Sequence, residues 1–272
     1  SSSPPSIMTM NKISESALED LAIQRLTEQG FAYLPGPEIA PDGSMPMRTS
    51  FEDVLLLDKV RAAIDRLNPR VPPAARADAL RQIQRFHSPE LITNNEAFHR
   101  LLTEGINVSY QQAGHPRGDF VWLIDFEHPD NNEFTVVNQF TVIENGINKR
   151  PDILLFVNGL PLVVIELKNP ADEDTTVKAA FKQVQTYKAI IPTLFHYNSL
   201  LVISDGLEAK MGSLSAGYSR FMAWKSADGV DEASHLVSQL EVLIKGLLNK
   251  ETLLDLIRHF TVFEKSKKED LK

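Results

Sequence analysis

The chain has 272 residues, with 28 Lys and Arg against 36 Asp and Glu, a formal net charge of −8, 43% hydrophobic residues and no cysteine. There is enough apolar material for a full core, which excludes a disordered acidic tail and a disulfide-stapled miniprotein. The lack of cysteine also removes cysteine-type zinc sites, thiol nucleophiles and redox pairs, and no run approaches the ~20 apolar residues of a membrane span. The acidic balance argues mildly against stand-alone nucleic-acid binding, because phosphate contacts need clustered Lys and Arg. A metal site can still recruit phosphate on an otherwise acidic surface.

Residues 1–14, opening Ser-Ser-Ser-Pro-Pro, lack the basic and apolar regions of a secretion signal and read as a disordered lead-in. Ser16 and Glu19 form a capping box for a helix over 16–29, with Leu18, Leu21, Ala22 and Leu26 at helical spacing and Gly30 as its stop. A Pro/Gly-rich loop from Pro35 to Pro46 follows. Helices are predicted over 50–67, closed by Asn68-Pro69, over 74–86 after Pro72-Pro73, and over 94–104 before Gly105. Gln111 to Gly118 reads as a polar loop, whereas 119–126 and 133–144 are rich in Val, Ile, Phe and Thr and read as strands. Two further strands, 152–157 and 162–168, flank Asn158-Gly159, a strong hairpin signal. A helix capped by Asp174 or Thr175 runs to Ile190, a strand covers 199–204, and 233–257 is helical again. The charged run 264–272 reads as solvated. This order describes an α/β fold, a mixed sheet flanked by helices, with an additional helical segment over 50–104.

The chemistry concentrates in the predicted hairpin. Its strands are apolar on both faces, as central strands are, until Glu166 and Lys168 interrupt the run. An unpaired charge there costs several kcal/mol, so the two must meet solvent, a partner charge or a metal. Alternation places Glu166 and Lys168 on one face. Asp152, 14 positions before Glu166, joins them only if the pairing parity is right. A two-residue loop pairs Val157 with Leu160 and sends Asp152 to the opposite face, so an odd-length loop with a bulge is predicted. Two carboxylates beside a sheet, with a carbonyl such as that of Leu167, make an oxygen-only site suited to Mg²⁺. Lys168 could orient or deprotonate an attacking water or neutralise charge growing on a phosphate. The chemistry implied is phosphodiester hydrolysis. Gln183 and Tyr187, four apart on the following helix, share a face and could hold phosphate or base edges.

Pro151-Asp152, Glu166-x-Lys168 and Gln183-x-x-x-Tyr187 resemble the PD-(D/E)xK nuclease core with its QxxxY element. The wording from Arg150 to Lys168 is similar to the N-terminal nuclease region of the R (motor) subunit of type I restriction-modification enzymes. The similarity extends through the helix bearing Glu19, Asn68-Pro69, Glu133 to Gln139 and Trp224-Lys225. The resemblance implies a restriction-endonuclease-like fold, with Asp152, Glu166 and Lys168 as catalytic residues and Asp152 and Glu166 as ligands of Mg²⁺. It further implies Gln183 and Tyr187 as DNA-binding or nuclease-supporting residues, and Glu19, with Glu15 behind it, as a further metal-binding acid. By the same likeness, the domain occupies about 15–250, and 251–272 begins a linker towards an ATP-dependent translocase. No G-x-x-x-x-G-K-[ST] phosphate loop occurs in the chain, so ATP hydrolysis is not expected of it. Double-stranded DNA, methyltransferase and specificity subunits, ATP and S-adenosylmethionine belong to the full complex, and a cytoplasmic location is expected.

The seven histidines are scattered, with no HExxH or HxH pair, and Asp125, Glu127, His128 and Asp130 read as a solvated loop beside Pro129. Two other readings use the same residues. One is a catalytically silent scaffold docking the motor to partner subunits, signalled by side chains that diverge or a plugged cleft. The other is a small-molecule hydrolase, signalled by a narrow closed pocket.

Overall fold

The computed structural model describes residues 14–168, 176–224 and 238–269, with side chains described as far as residue 259. The first helix, α1 (Glu15–Glu28), is capped by Ser14, whose hydroxyl accepts from the Ala17 N–H at 3.1 Å. Ser16 is therefore not the cap. Glu19, released from the expected capping box, is buried on the inner face with Leu18, Ala22 and Leu26. Gly30 ends the helix at φ +92°, a left-handed conformation that glycine adopts without a Cβ penalty.

Strand β1 (Ala32–Pro35) leads into the short α2 (Gly36–Ile39). The helix expected from Ser50 begins only at Leu57, as α3 (Leu57–Leu67). The Asp53 carboxylate accepts from the Thr49 hydroxyl at 3.0 Å and the Ser50 N–H at 3.2 Å, a local side-chain turn that competes with helix. Helix α4 (Pro73–Gln82) stops four residues short of the expected Phe86, and the Ile83 carbonyl accepts from the Tyr197 hydroxyl at 2.8 Å instead of continuing a helical ladder. Helix α5 (Leu91–Glu104) starts before Asn94, whose side chain instead braces Ser88, and ends at Gly105 as expected.

The predicted polar loop at 111–118 is a hairpin, β2 (Ile106–Gln112) and β3 (His115–Val121), turning at Ala113-Gly114 with positive φ at both. Its tip is exposed on both faces, so it carries no apolar alternation to announce it. The strand expected over 133–144 is split into β4 (Phe134–Asn138) and β5 (Val142–Glu144) at Gln139, which adopts φ +50°. Strand β6 (Ile147–Lys149) pairs with β5 through Asn145-Gly146. Next come β7 (Ile153–Val157), β8 (Leu160–Leu167), α6 (Val177–Ile190), the short α7 (Pro192–Phe195) and β9 (Leu200–Ser204). The caps expected at Asp174 or Thr175 lie outside the described residues. Strands β10 (Ala209–Gly212) and β11 (Met222–Ala223) and helices α8 (Gln239–Leu247) and α9 (Lys250–Glu269) follow. The first part of the helix expected over 233–257 lies outside the described residues, and the stretch expected to begin a linker at 251 is helical as far as Glu269.

Seven strands form one mixed sheet in the order β1-β4-β7-β8-β9-β10-β11. The pairs β1/β4 and β8/β9 are parallel and the rest antiparallel. Helices flank this sheet, the restriction-endonuclease-like arrangement that the motifs imply. Strands β7 and β8 are buried along their whole length on both faces, as central strands must be. Among the described residues no helix is long and apolar enough to cross a membrane.

The hairpin parity is solved differently from the expectation. Val157 pairs with Leu160, so the Asn158-Gly159 loop has two residues, not an odd number, with φ of +51° and +81° as a type I′ turn requires. The register then shifts between Leu155 and Phe156: Phe156 faces Pro161 but Leu155 faces Val163. Leu162 is the extra residue, a β-bulge inside the strand. This slip brings Asp152 level with Glu166.

Candidate active site

Asp152 immediately precedes β7, Glu166 and Lys168 stand at the C-terminal end of β8, and Gln183 and Tyr187 come from α6. Together with Glu19 of α1 they line one open cleft of about 550 Å³. The structure thus brings all six expected residues to one place, and Glu15 lines the same cleft.

Asp152 and Glu166 are 6% and 3% exposed. The Asp152 N–H donates to Glu166 Oε2 at 3.4 Å, and the Leu167 N–H donates to Asp152 Oδ2 at 2.8 Å. Glu166 Oε1 accepts from the Tyr187 hydroxyl at 3.0 Å, and Gln183, one helical turn earlier on α6, lines the same cleft. Neither acid has an ion-pair partner in direct contact among the described residues.

The electrostatics follow from this burial. Removal from water pushes the Asp152 carboxyl up to about 6, opposed by the Leu167 N–H and reinforced by Glu15 and Glu19. Burial, then the charge of Asp152, raises the Glu166 carboxyl well above the ordinary carboxylate range, against the pull of Tyr187 and the Lys168 ammonium. Burial and the neighbouring Glu166 likewise push the Tyr187 phenol up, so it remains a hydrogen-bond donor at neutral pH. Two buried acids without a contacting cationic side chain need either protons or a metal ion. Their oxygens are hard donors facing an open cleft, and this set fits Mg²⁺ better than a softer metal.

Glu19 differs from the pair. Its Oε1 accepts from the Asn138 side-chain amide at 2.8 Å and its Oε2 from that of Gln139 at 2.7 Å. Among the described residues, no three His, Asp or Glu side chains are grouped as a ready-made metal cage. The Asp125 loop is a turn: its carboxylate accepts from the Glu127 and His128 N–H groups and the Asn131 amide.

Sequence reasoning named no role for Gln139, which lines the cleft and donates its backbone N–H to the Asp152 carbonyl at 2.9 Å. Only the Asn-Gln pair closing an apolar run signalled a bend there. Among the described residues, Arg150, exposed at the same cleft, is its second cationic group beside Lys168.

A family model described as the type I restriction enzyme R protein N terminus matches residues 12–220. The type I restriction enzyme HindI endonuclease subunit of Haemophilus influenzae is 40% identical over 256 residues, which is 93% of this chain and 24% of that protein. The MjaIXP endonuclease subunit of Methanocaldococcus jannaschii is 32% identical over 269 residues, 92% of this chain and 26% of its own length. The EcoprrI endonuclease subunit of Escherichia coli is 28% identical over 155 residues, covering 54% of this chain and 47% of the relative. The chain therefore spans about a quarter of the length of the first two relatives. With most of its length matched by that model and by a relative 40% identical, the chain belongs to the family of type I restriction enzyme R protein N-terminal regions.

Proposed function

We infer that this chain is the nuclease domain of a type I restriction enzyme R subunit, occupying about 15–250 with a helical insertion at about 50–104, and that it hydrolyses phosphodiester bonds in double-stranded DNA with Mg²⁺. The observation that carries the reading is the juxtaposition of two buried acids, Asp152 and Glu166, joined through the Asp152 N–H, with Lys168 lining the same open cleft. Convergent side chains and an open cleft favour it over a silent scaffold or a small-molecule pocket.

Asp152 and Glu166 would hold the divalent cation, which when bound polarises a phosphoryl oxygen and lowers the pKa of coordinated water. The Leu167 N–H fixes one Asp152 oxygen, and the Tyr187 hydroxyl fixes one Glu166 oxygen. Each carboxylate is therefore held in orientation by a neighbouring donor. Lys168 supplies a compact positive charge where charge accumulates on the phosphate during attack, or takes a proton from the attacking water. The acidic chain offers little general attraction for DNA. Delivery of substrate falls to an ATP-driven motor and to methyltransferase and specificity subunits that use S-adenosylmethionine, in the cytoplasm.

The test is Mg²⁺-dependent nicking of plasmid by the assembled enzyme, combined with Mn²⁺ titration calorimetry on the chain. Asp152→Ala is expected to abolish nicking and Mn²⁺ binding, with translocation unharmed. Lys168→Ala should abolish nicking while Mn²⁺ binding survives. Retained nicking in either variant would overturn the assignment.

A further inference from the structure

The acid of α1 is held in a way that a metal ligand does not require. Both Glu19 oxygens accept from side-chain amides, of Asn138 at 2.8 Å and Gln139 at 2.7 Å, although Glu19 is only 8% exposed. These residues form the sharp turn where the chain leaves β4. Gln139 occupies φ +50°, a conformation that a non-glycine residue adopts only when its surroundings enforce it. The turn is gripped from the other side as well: Asn138 Oδ1 accepts from the Tyr33 hydroxyl at 3.0 Å and the Gly36 N–H at 3.3 Å. At Gly36 a Cβ would meet the Asn138 carbonyl oxygen at 2.0 Å and the Gln139 carbonyl oxygen at 2.6 Å, so two backbones are in direct contact. From this turn the Gln139 N–H reaches the Asp152 carbonyl at 2.9 Å, and the Asp152 N–H reaches Glu166 Oε2 at 3.4 Å.

We propose that Glu19 is a positioning residue acting through Gln139: its carboxylate clamps the 138–139 turn, and the turn fixes the backbone of Asp152 so that its side chain stays level with Glu166. This rests on the reading of Asp152 and Glu166 as the cation-holding pair. The physical reason is one of tolerance. Asp152 lies just outside β7, so the strand ladder alone does not hold it, and a cation-holding constellation needs its side chains fixed to within ~0.5 Å. A buried carboxylate receiving two amide donors is a rigid tie, and loss of such a supporting contact costs roughly 10–100-fold in metal affinity or activity.

The discriminating experiment exploits the symmetry of the amide. Glutamine at position 19 can accept from Asn138 and, if the Gln139 amide turns over, donate to it, so the clamp survives without charge. A direct ligand would lose its charge in the same substitution. Four variants of the chain are compared: Glu19→Ala, Glu19→Gln, Gln139→Glu, and the exchange Glu19→Gln with Gln139→Glu. Three readouts are used: Mn²⁺ affinity by calorimetry, plasmid nicking in the assembled enzyme, and amide hydrogen exchange at Gln139 and Asp152 without metal.

A clamp predicts that Glu19→Ala accelerates exchange at both amides and lowers nicking roughly 10–100-fold, that Glu19→Gln stays near the parent in all three readouts, and that the exchange variant recovers what Gln139→Glu loses by placing two carboxylates together. The proposal is overturned if Glu19→Gln loses Mn²⁺ affinity as fully as Glu19→Ala while exchange is unchanged, the behaviour of a direct ligand. Exchange that responds as predicted in a chain that neither binds Mn²⁺ nor nicks DNA would uphold the clamp and refute the nuclease reading, so the two fail separately.

Discussion

The N–H of Asp152 donates to a carboxylate oxygen of Glu166 at 3.4 Å, although the two residues are 14 positions apart and the turn between them has even length. Their meeting depends on Leu162, which stands in β8 without a partner in β7. A regular two-residue hairpin would place Ile165 opposite Asp152 and turn the two acids to opposite faces of the sheet. The bulge is thus part of the site, even though Leu162 never touches the cleft.

The raised Asp152 carboxyl makes metal-free stability pH-dependent, and the sign can be worked out. At about 6 against an ordinary 3.8, the folded state holds its proton more tightly than the unfolded chain. The stabilisation is fully present below pH 3.8 and is lost as pH rises through 6. Such a shift corresponds to about 3 kcal/mol, and Glu166 is raised in the same direction. In EDTA, Asp152→Asn should therefore melt above the parent at pH 7.5, with the difference fading at ~pH 4. Thermal melts across that range check this, and a variant less stable than the parent at neutral pH would contradict it. Divalent cations should raise the melting temperature of the parent but not of the variant.

Tyr187→Phe removes the hydroxyl that donates to Glu166 Oε1 at 3.0 Å and leaves the ring in place. Hydrogen bonds to charged groups contribute about 1.5–3 kcal/mol, and a group supporting a metal ligand is worth roughly 10–100-fold in affinity. The expected outcome is a loss of about 1–3 kcal/mol in urea unfolding at neutral pH, together with Mn²⁺ binding weakened but not abolished. Mn²⁺ affinity equal to that of the parent would show that the phenol does not support Glu166.

Gly159→Ala should be far costlier than its size suggests. Gly159 sits at φ +81°, and a Cβ there would meet the Leu56 carbonyl oxygen at 2.6 Å and a Val60 methyl at 2.9 Å. The Leu56 N–H also donates to the Gly159 carbonyl at 3.1 Å, so the hairpin tip is fastened to the start of α3. Backbone strain and overpacking together predict about 2–4 kcal/mol. Chemical denaturation measures this, and a loss below ~1 kcal/mol would mean that the tip relaxes away from α3.

Much of the site was legible because its signals are local. Glu166 and Lys168 stood out as charges breaking an apolar run, Asn158-Gly159 as a pair able to adopt positive φ, and Gln183 and Tyr187 as neighbours on a helical face. What escaped depends on partners distant in sequence. The outer part of the β2/β3 hairpin escaped because its tip meets solvent on both faces, only Asp119 to Val121 of β3 falling in an expected strand, and the late start of α3 because Asp53 captures the preceding turn. Arg48 gave no signal, yet it is buried with its guanidinium 3.7 Å from the Phe140 ring centroid and bonded to the carbonyls of Asp53 and Thr141. The bulge at Leu162 was invisible for a related reason: a register is a property of two strands, and one strand's residues do not state it.

By itself, then, the order of residues determined that two buried strands would carry acids and a lysine at their ends, since alternation and the cost of burying charge act over a few residues. It also specified the helix that carries the polar pair. Only the tertiary structure decided that Asp152 and Glu166 share a face and that Glu19 grips a turn, because cross-strand register and inter-element contact are set by packing the whole core at once.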